Sequence, residues 1–154
     1  MTPVFIRIAA AMLLLATLGA CSSGPPPIDL ATLSIDSQPD ANSGNALAVD
    51  VVLVLDAGLE AELLKLSARD WFTKRSQIGR DNPGSLVLQS WELVPGQSVP
   101  KRSVETPKRP IAAIIYANYA TPGDHRLRLA RTDNVVRVLL QASDVMVQTA
   151  PAPE

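Results

Sequence analysis

The chain has 154 residues, with 14 basic and 15 acidic side chains, one histidine, one cysteine and a net charge of −1. That balance gives no case for nucleic-acid binding. A lone cysteine excludes an internal disulfide, and a lone histidine with no other thiol is too little for a Cys/His metal site. Only six residues are Phe, Trp or Tyr, so a core built from this chain has to be mostly Leu, Val, Ile and Ala.

The first element is a leader. Arg7 precedes an apolar core over residues 8–18, and Leu18-Gly19-Ala20-Cys21 follows. The core suits a secretory h-region and falls short of the ~20 apolar residues of a spanning helix. The junction resembles the lipobox of bacterial lipoproteins. That resemblance implies removal of residues 1–20 and a diacylglyceryl thioether on Cys21, which consumes the thiol. Ser22 in place of Asp resembles the signal for sorting to the outer membrane. The remaining 134 residues carry 13 basic and 15 acidic side chains, a net charge of −2, and suffice for one domain with one core.

Residues 21–28, with Pro25-Pro26-Pro27, read as an extended lipidated tether of ~3 Å per residue. The ordered domain is expected over residues 29–148. Ala31, Leu33 and Ile35 alternate with polar residues, the period-two pattern of a half-buried strand. Ser37 and then Gln38-Pro39-Asp40-Ala41-Asn42-Ser43-Gly44-Asn45 form a turn-rich loop without a large apolar residue. Residues 47–55 are a strong strand. Leu47, Val49, Val51, Leu53 and Leu55 share one face, and Asp50 is expected to limit burial of the other.

Over residues 59–79 the period changes. Leu59, Leu63 and Leu66 recur at helical spacing, and Ser67, three residues before Asp70, is a candidate N-cap for a second helical stretch. Ala68, Trp71, Phe72 and Ile78 fall on one side of it, with Arg75 at the gap. Trp71 and Phe72 read as the core-facing anchor of that helix, and Asp81-Asn82-Pro83-Gly84 ends it.

Strands are then expected over residues 86–93, 98–104 (weak), 111–120, 126–130, 135–141 and 145–147. The turns Pro95-Gly96, Thr121-Pro122-Gly123-Asp124 and Thr132-Asp133-Asn134 separate several of them. Residues 149–154, rich in Pro and Ala, read as a disordered tail. Seven or so short strands around one helical excursion suggest a β-sandwich.

The order of these pieces resembles the TssJ family, the outer-membrane lipoproteins of the type VI secretion membrane complex. The match runs from the lipobox through the first strand, the Pro39-Asp40 loop with Gly44, the apolar second strand and the helical segment with Trp71 and Phe72. It continues through Trp91-Glu92-Leu93-Val94-Pro95-Gly96 and the small-and-aromatic strand Ile111-Ala112-Ala113-Ile114-Ile115-Tyr116-Ala117-Asn118-Tyr119. Val52 and Leu55 stand where the family often has Arg and Tyr, and Arg126-Leu127-Arg128 where a Trp-Arg pair is more usual. The chain therefore reads as a divergent member.

The resemblance implies a mainly β, transthyretin-like two-sheet sandwich with a short helical insertion between early strands. It implies a structural role on the periplasmic face of the outer membrane. The lipid on Cys21 would be the anchor, and the periplasmic domain of a TssM-like inner-membrane protein would be the partner. No cofactor is implied beyond the covalent lipid. Alternative readings are a lipoprotein chaperone or pilotin, or a periplasmic lipoprotein that holds a small molecule or peptidoglycan.

Gln38 to Asn45 is the first choice for partner contact, because recognition concentrates in loops on rigid scaffolds; an ordinary hairpin connection is its plainer reading. Lys101, Arg102, Lys108 and Arg109, opposed by Glu105, suit anionic headgroups, an acidic partner face or merely a solvated loop. His125, in a Pro-Gly-Asp-His turn, reads as a surface residue. The enzyme reading finds no support, with no Gly-x-Ser-x-Gly elbow, no second histidine and no Gly-rich phosphate loop. Glu60 and Glu62 read as too exposed for acid–base work.

Overall fold

In a computed structural model, residues 25–105 and 109–150 are described. The leader, Cys21 and Lys108 lie outside them. Among the described residues, eight strands form two four-stranded sheets. In chain order they are β1 (Thr32–Ser37), β2 (Leu47–Val54), helix α1 (Ala57–Leu63), helix α2 (Ala68–Asp81), β3 (Leu86–Leu93), β4 (Ser98–Ser103), β5 (Ala112–Ala117), β6 (Arg126–Arg128), β7 (Val135–Leu140) and β8 (Val145–Ala150). One sheet has the order β4-β1-β7-β8 and the other β3-β2-β5-β6. The expected β-sandwich with its helical insertion between early strands is what forms. Every pairing is antiparallel except β1 with β7, which run parallel with Thr32 opposite Val135 and Ser37 opposite Leu140.

The alternation in β1 buries Leu33, Ile35 and Ser37. With Val49, Val51 and Leu53 of β2, Ala113 and Ile115 of β5, and Val136, Val138 and Leu140 of β7, Leu33 and Ile35 form the core between the sheets. A second core lies on the outer side of the β2–β5 sheet. There Val52, Val54, Ile114 and Tyr116 meet Leu59 and Leu63 of α1 and Ala68 and Trp71 of α2. β5 is therefore buried on both faces along its whole length.

The helices start on side-chain caps. Asp56 Oδ1 accepts from Leu59 N at 2.8 Å, and Ser67 Oγ accepts from Asp70 N at 3.1 Å. Ser67 is thus the N-cap its spacing predicts. Tyr116 lies stacked under Trp71, ring centroids 5.0 Å apart, and its hydroxyl donates to Leu63 O at 2.7 Å. Burial pushes the Tyr116 phenol well above its ordinary range, so it stays a neutral donor.

Asp50 departs from expectation. It does not limit burial of its face, being itself 1 % exposed. Its Oδ2 accepts from Trp71 Nε1 at 2.8 Å and from Arg75 Nη1 at 2.6 Å. The cause is the helical insertion, which covers that face and brings one cation to the single carboxylate in it. Glu60 departs similarly. Its side chain is 15 % exposed and accepts from Arg128 Nε at 2.6 Å, tying α1 to β6, whereas Glu62 is exposed as expected.

Both ends of the ordered domain lie further out than expected. Ile28, assigned to the tether, is 8 % exposed within the inter-sheet core, and its N–H donates to Pro110 O. It is the first large apolar residue after the prolines, and the open end of the sandwich takes it in. β8 continues through Thr149 and Ala150, assigned to the tail, because Val135 and Val136 of β7 supply pairing partners for them. The remainder of the tail lies outside the described residues.

Candidate functional site

The strand directions sort the connections to two poles. β1 and β7 run one way and β4 and β8 the other, so residues 38–46, 94–97 and 141–144 gather where β1 ends. In the second sheet Leu47, Leu93, Ala117 and Arg126 reach the same end, which adds residues 118–125. Pro25, Val104, residues 109–111 and the 129–134 connection lie at the opposite pole. Ile28 N bonds Pro110 O, Asp29 N bonds Arg131 O, and Arg131 Nη1 donates to Pro26 O. Six residues of β1 span about 17 Å between the poles.

The loop proposed for partner contact sits at the pole remote from Pro25, and it is not a loose connection. Ala41–Gly44 form a tight, kinked turn in which Asn42 (φ 49°), Ser43 (φ 54°) and Gly44 (φ 86°) are all left-handed. Asn, Ser and Gly in succession suit such a turn, since the short side chains hydrogen-bond locally and glycine has no Cβ to clash. Backbone bonds fix its base on two sides. Gly96 N donates to Ser37 O, while Gln38 N, Asn42 N and Ser43 N donate to Leu140 O, Gln141 O and Ala142 O.

Two of the eight candidate residues are structural. Ala41 is fully buried in the inter-sheet core, and Asn42 is 4 % exposed. Asn42 Nδ2 donates to Ala46 O at 2.9 Å, and its Oδ1 accepts from Ala120 N at 2.9 Å, joining this loop to the β5–β6 connection. Pro39, Asp40, Ser43, Gly44 and Asn45 are exposed, and Gln38 is half-buried. Ala41 and Asn42 of the candidate contact loop are therefore not available to a partner. A local signal existed in Asn42-Ser43-Gly44, a run suited to left-handed backbone. Asn42→Ala should cost about 2 kcal/mol, from the orphaned Ala120 N–H and the strained backbone. Urea denaturation reads that loss, and faster amide exchange at Ala120 accompanies it.

His125 is the second correction. Its imidazole is 7 % exposed, not a surface group. Nδ1 lies 3.1 Å from Asp144 Oδ1, and Nε2 lies 3.0 Å from Thr121 O. A carbonyl oxygen only accepts, so Nε2 is the donor in that bond. The ring packs on Tyr119 at 4.8 Å between centroids, and the Tyr119 hydroxyl donates to Asp144 O at 2.7 Å. Burial raises the Tyr119 phenol above its usual range. A Cβ on Gly123 (φ 153°) would stand 2.8 Å from the imidazole, so only glycine lets the loop close over the ring. This cluster ties the β5–β6 connection to the β7–β8 turn and borders a cleft of about 290 Å³ lined by Arg69, Tyr119, Thr121, Pro122, Gly123 and His125.

The pole remote from Pro25 is thus a rigid rim of four connections. Its stiffness comes from side chains buried beneath it and its chemistry from small polar groups on top. Such a surface recognises by shape and backbone hydrogen bonding. Among the described residues no group of three or more His, Cys, Asp or Glu side chains is placed to hold a metal ion. Nor is any helix there long and apolar enough to cross a membrane.

Comparison with solved structures decides the architecture. The type VI secretion lipoprotein TssJ1 from Pseudomonas aeruginosa superposes with a TM-score of 0.61 at 15 % identity, over 83 % of this chain and 100 % of that one. The chain has the TssJ fold. Serratia marcescens Lip, a membrane-bound component of the type VI secretion system, superposes with a TM-score of 0.57 at 16 % identity, over 77 % of this chain and 96 % of that one. A chain from the structure of the type VI protein TssM C-terminal domain from EAEC gives 0.58 at 16 % identity, over 76 % of this chain and 98 % of that one. No protein-family model and no curated sequence matches.

Proposed function

We propose that the chain is a divergent TssJ-type lipoprotein that holds a type VI secretion membrane complex to the outer membrane. In this reading Cys21 carries the lipid, and the protein stands on the periplasmic face. The rim at the pole remote from Pro25 grips the periplasmic domain of a TssM-like inner-membrane protein through Gln38, Pro39, Asp40, Ser43, Gly44 and Asn45. Ala41 and Asn42 shape that loop from below.

The observation that carries this reading is the opposition of the two poles. Pro25, four residues after Cys21, lies at one end of the sandwich, and the rigid rim lies at the other. A tether fixed to a bilayer at one pole leaves the other pointing into the periplasm. A chain of similar fold also occurs in the structure of a TssM C-terminal domain, which supports a place in such a complex. The lipobox-like Leu18-Gly19-Ala20-Cys21 favours the lipoprotein side. No substrate chemistry enters this role, and the arrangement of His125, Asp144 and Tyr119 is explained by its work in joining loops.

Labelling cells with radioactive palmitate and fractionating the envelope tests the anchor. The wild-type chain is expected to carry label in the outer-membrane fraction. Cys21→Ser should lose all label and leave that fraction, and a labelled or outer-membrane-bound Cys21→Ser protein would refute the anchor. Purification of the wild-type chain from solubilised envelopes should bring down a TssM-like protein. A secretin brought down instead would favour the pilotin reading.

A further inference from the structure

We infer that the edge strand β4, with Arg109 beyond it, is a second membrane contact, a basic surface that meets anionic lipid headgroups; this rests on the anchor reading above. Four observations carry it. β4 is the outer strand of its sheet, so among the described residues no strand pairs with its free side. Between the Leu33–Arg102 and Ile35–Val99 pairs β4 holds one residue more than β1, a bulge that accommodates Pro100, which has no N–H to donate. Lys101 and Arg102 beside it are both exposed, as is Arg109 further along. Among the described residues of 99–110, Glu105 is the one acidic side chain set against these three cations.

Position adds a fifth. β4 runs toward the pole where the chain enters: Ser103 pairs with Thr32, Val104 N donates to Ala31 O, and Pro110 O accepts from Ile28 N. Cys21 precedes Pro25 by four residues, which chain geometry limits to about 14 Å. A lipid on Cys21 therefore brings this pole to within reach of the headgroup layer. There each Lys or Arg adds roughly fivefold to the attraction for an anionic surface, falling away beyond a Debye length of about 10 Å. The mature chain is net negative, so a uniform surface would be repelled, and only a local basic patch held at this distance reverses the sign. Exposed cations on an edge strand also guard it against pairing with another chain, but that role is independent of which pole faces the membrane. With β4 against the headgroups, the sandwich has a fixed tilt instead of free rotation on its tether.

The test uses the full chain purified from the envelope and reconstituted into vesicles of phosphatidylcholine alone or with about a third phosphatidylglycerol. A water-soluble amine-acylating reagent reads lysine access. Lys65 and Lys74, exposed on the helical side, are internal controls. The inference predicts that Lys101 labelling falls at least threefold relative to both controls in anionic vesicles only, and recovers in high salt. Arg102→Gln/Arg109→Gln should restore labelling of Lys101 without altering flotation. Equal Lys101 access in both vesicle types overturns the inference while leaving the anchor intact, as does salt-insensitive protection. A chain that fails to float with either vesicle overturns the anchor reading and this inference with it.

Discussion

Trp71→Ala should be the most destabilising single change in the domain, by about 4 kcal/mol. Three losses coincide there. The indole is fully buried under α2, its stacking on Tyr116 disappears, and Asp50 loses one of its two donors. Arg75 alone then faces a carboxylate that is 1 % exposed and whose Oδ1 already has no partner among the described residues. In a domain of this size the loss corresponds to a fall in Tm of roughly 12–20 °C, which thermal unfolding followed by circular dichroism reads directly. Phe72→Ala, one position on, is the contrast. Phe72 is only half-buried, beneath the Arg75 guanidinium at 4.8 Å, and its loss should cost about 1–2 kcal/mol. A Trp71→Ala protein melting within a few degrees of wild type would show that α2 is not pinned to the sheet in this way.

The same cluster shows what periodicity can and cannot reveal. The apolar stripes of β1, β2 and β5 and the helical spacing around Trp71 report one residue's surroundings at a time, so they are readable along the chain. The Asp50–Arg75 contact joins residues 25 apart on different elements. Taken singly, Asp50 interrupts a strand face and Arg75 interrupts a helix face. Taken together, they are one satisfied pair, and the signal was that each apolar face contained a single charge of opposite sign. The parallel β1–β7 pairing was illegible for a related reason. Alternation fixes which way side chains point and says nothing of which strand lies alongside.

The candidate loop was half legible. Its polar and turn-forming composition marked an exposed connection, and that holds for Pro39, Asp40 and Asn45. The burial of Asn42 depends on Ala120, 78 residues away, and the burial of His125 on Tyr119 and Asp144. No local pattern encodes those contacts. One consequence is practical: excising residues 40–44 would remove Ala41 from the core and Asn42 from its bonds, so lost binding would be confounded with lost structure.

Substituting only the exposed members separates the two effects. Pro39→Ala/Asp40→Arg/Asn45→Ala should leave the melting temperature within a few degrees, since surface changes are usually worth under about 0.5 kcal/mol each and the one side-chain bond removed, Asn45 Nδ2 to Asn42 O at 3.1 Å, lies within the loop. On the proposed function it should weaken binding to the periplasmic domain of the TssM-like partner by about 100-fold or more. Such a loss is what removing a few central contacts of an interface produces, and isothermal titration calorimetry measures it. Asp40→Arg matters most, because reversing a charge adds repulsion to the lost contact. Unchanged affinity in the folded triple variant would move the grip off this loop.

The two-pole account is tested most directly by hydrogen–deuterium exchange on the full chain, alone and with the periplasmic domain of the TssM-like partner. The account predicts slowed exchange at the rim formed by residues 38–46, 94–97, 118–125 and 141–144, and unchanged exchange over 98–105 and 129–134. Protection centred on those latter residues, or on α1 and α2 with the rim unaltered, would contradict it.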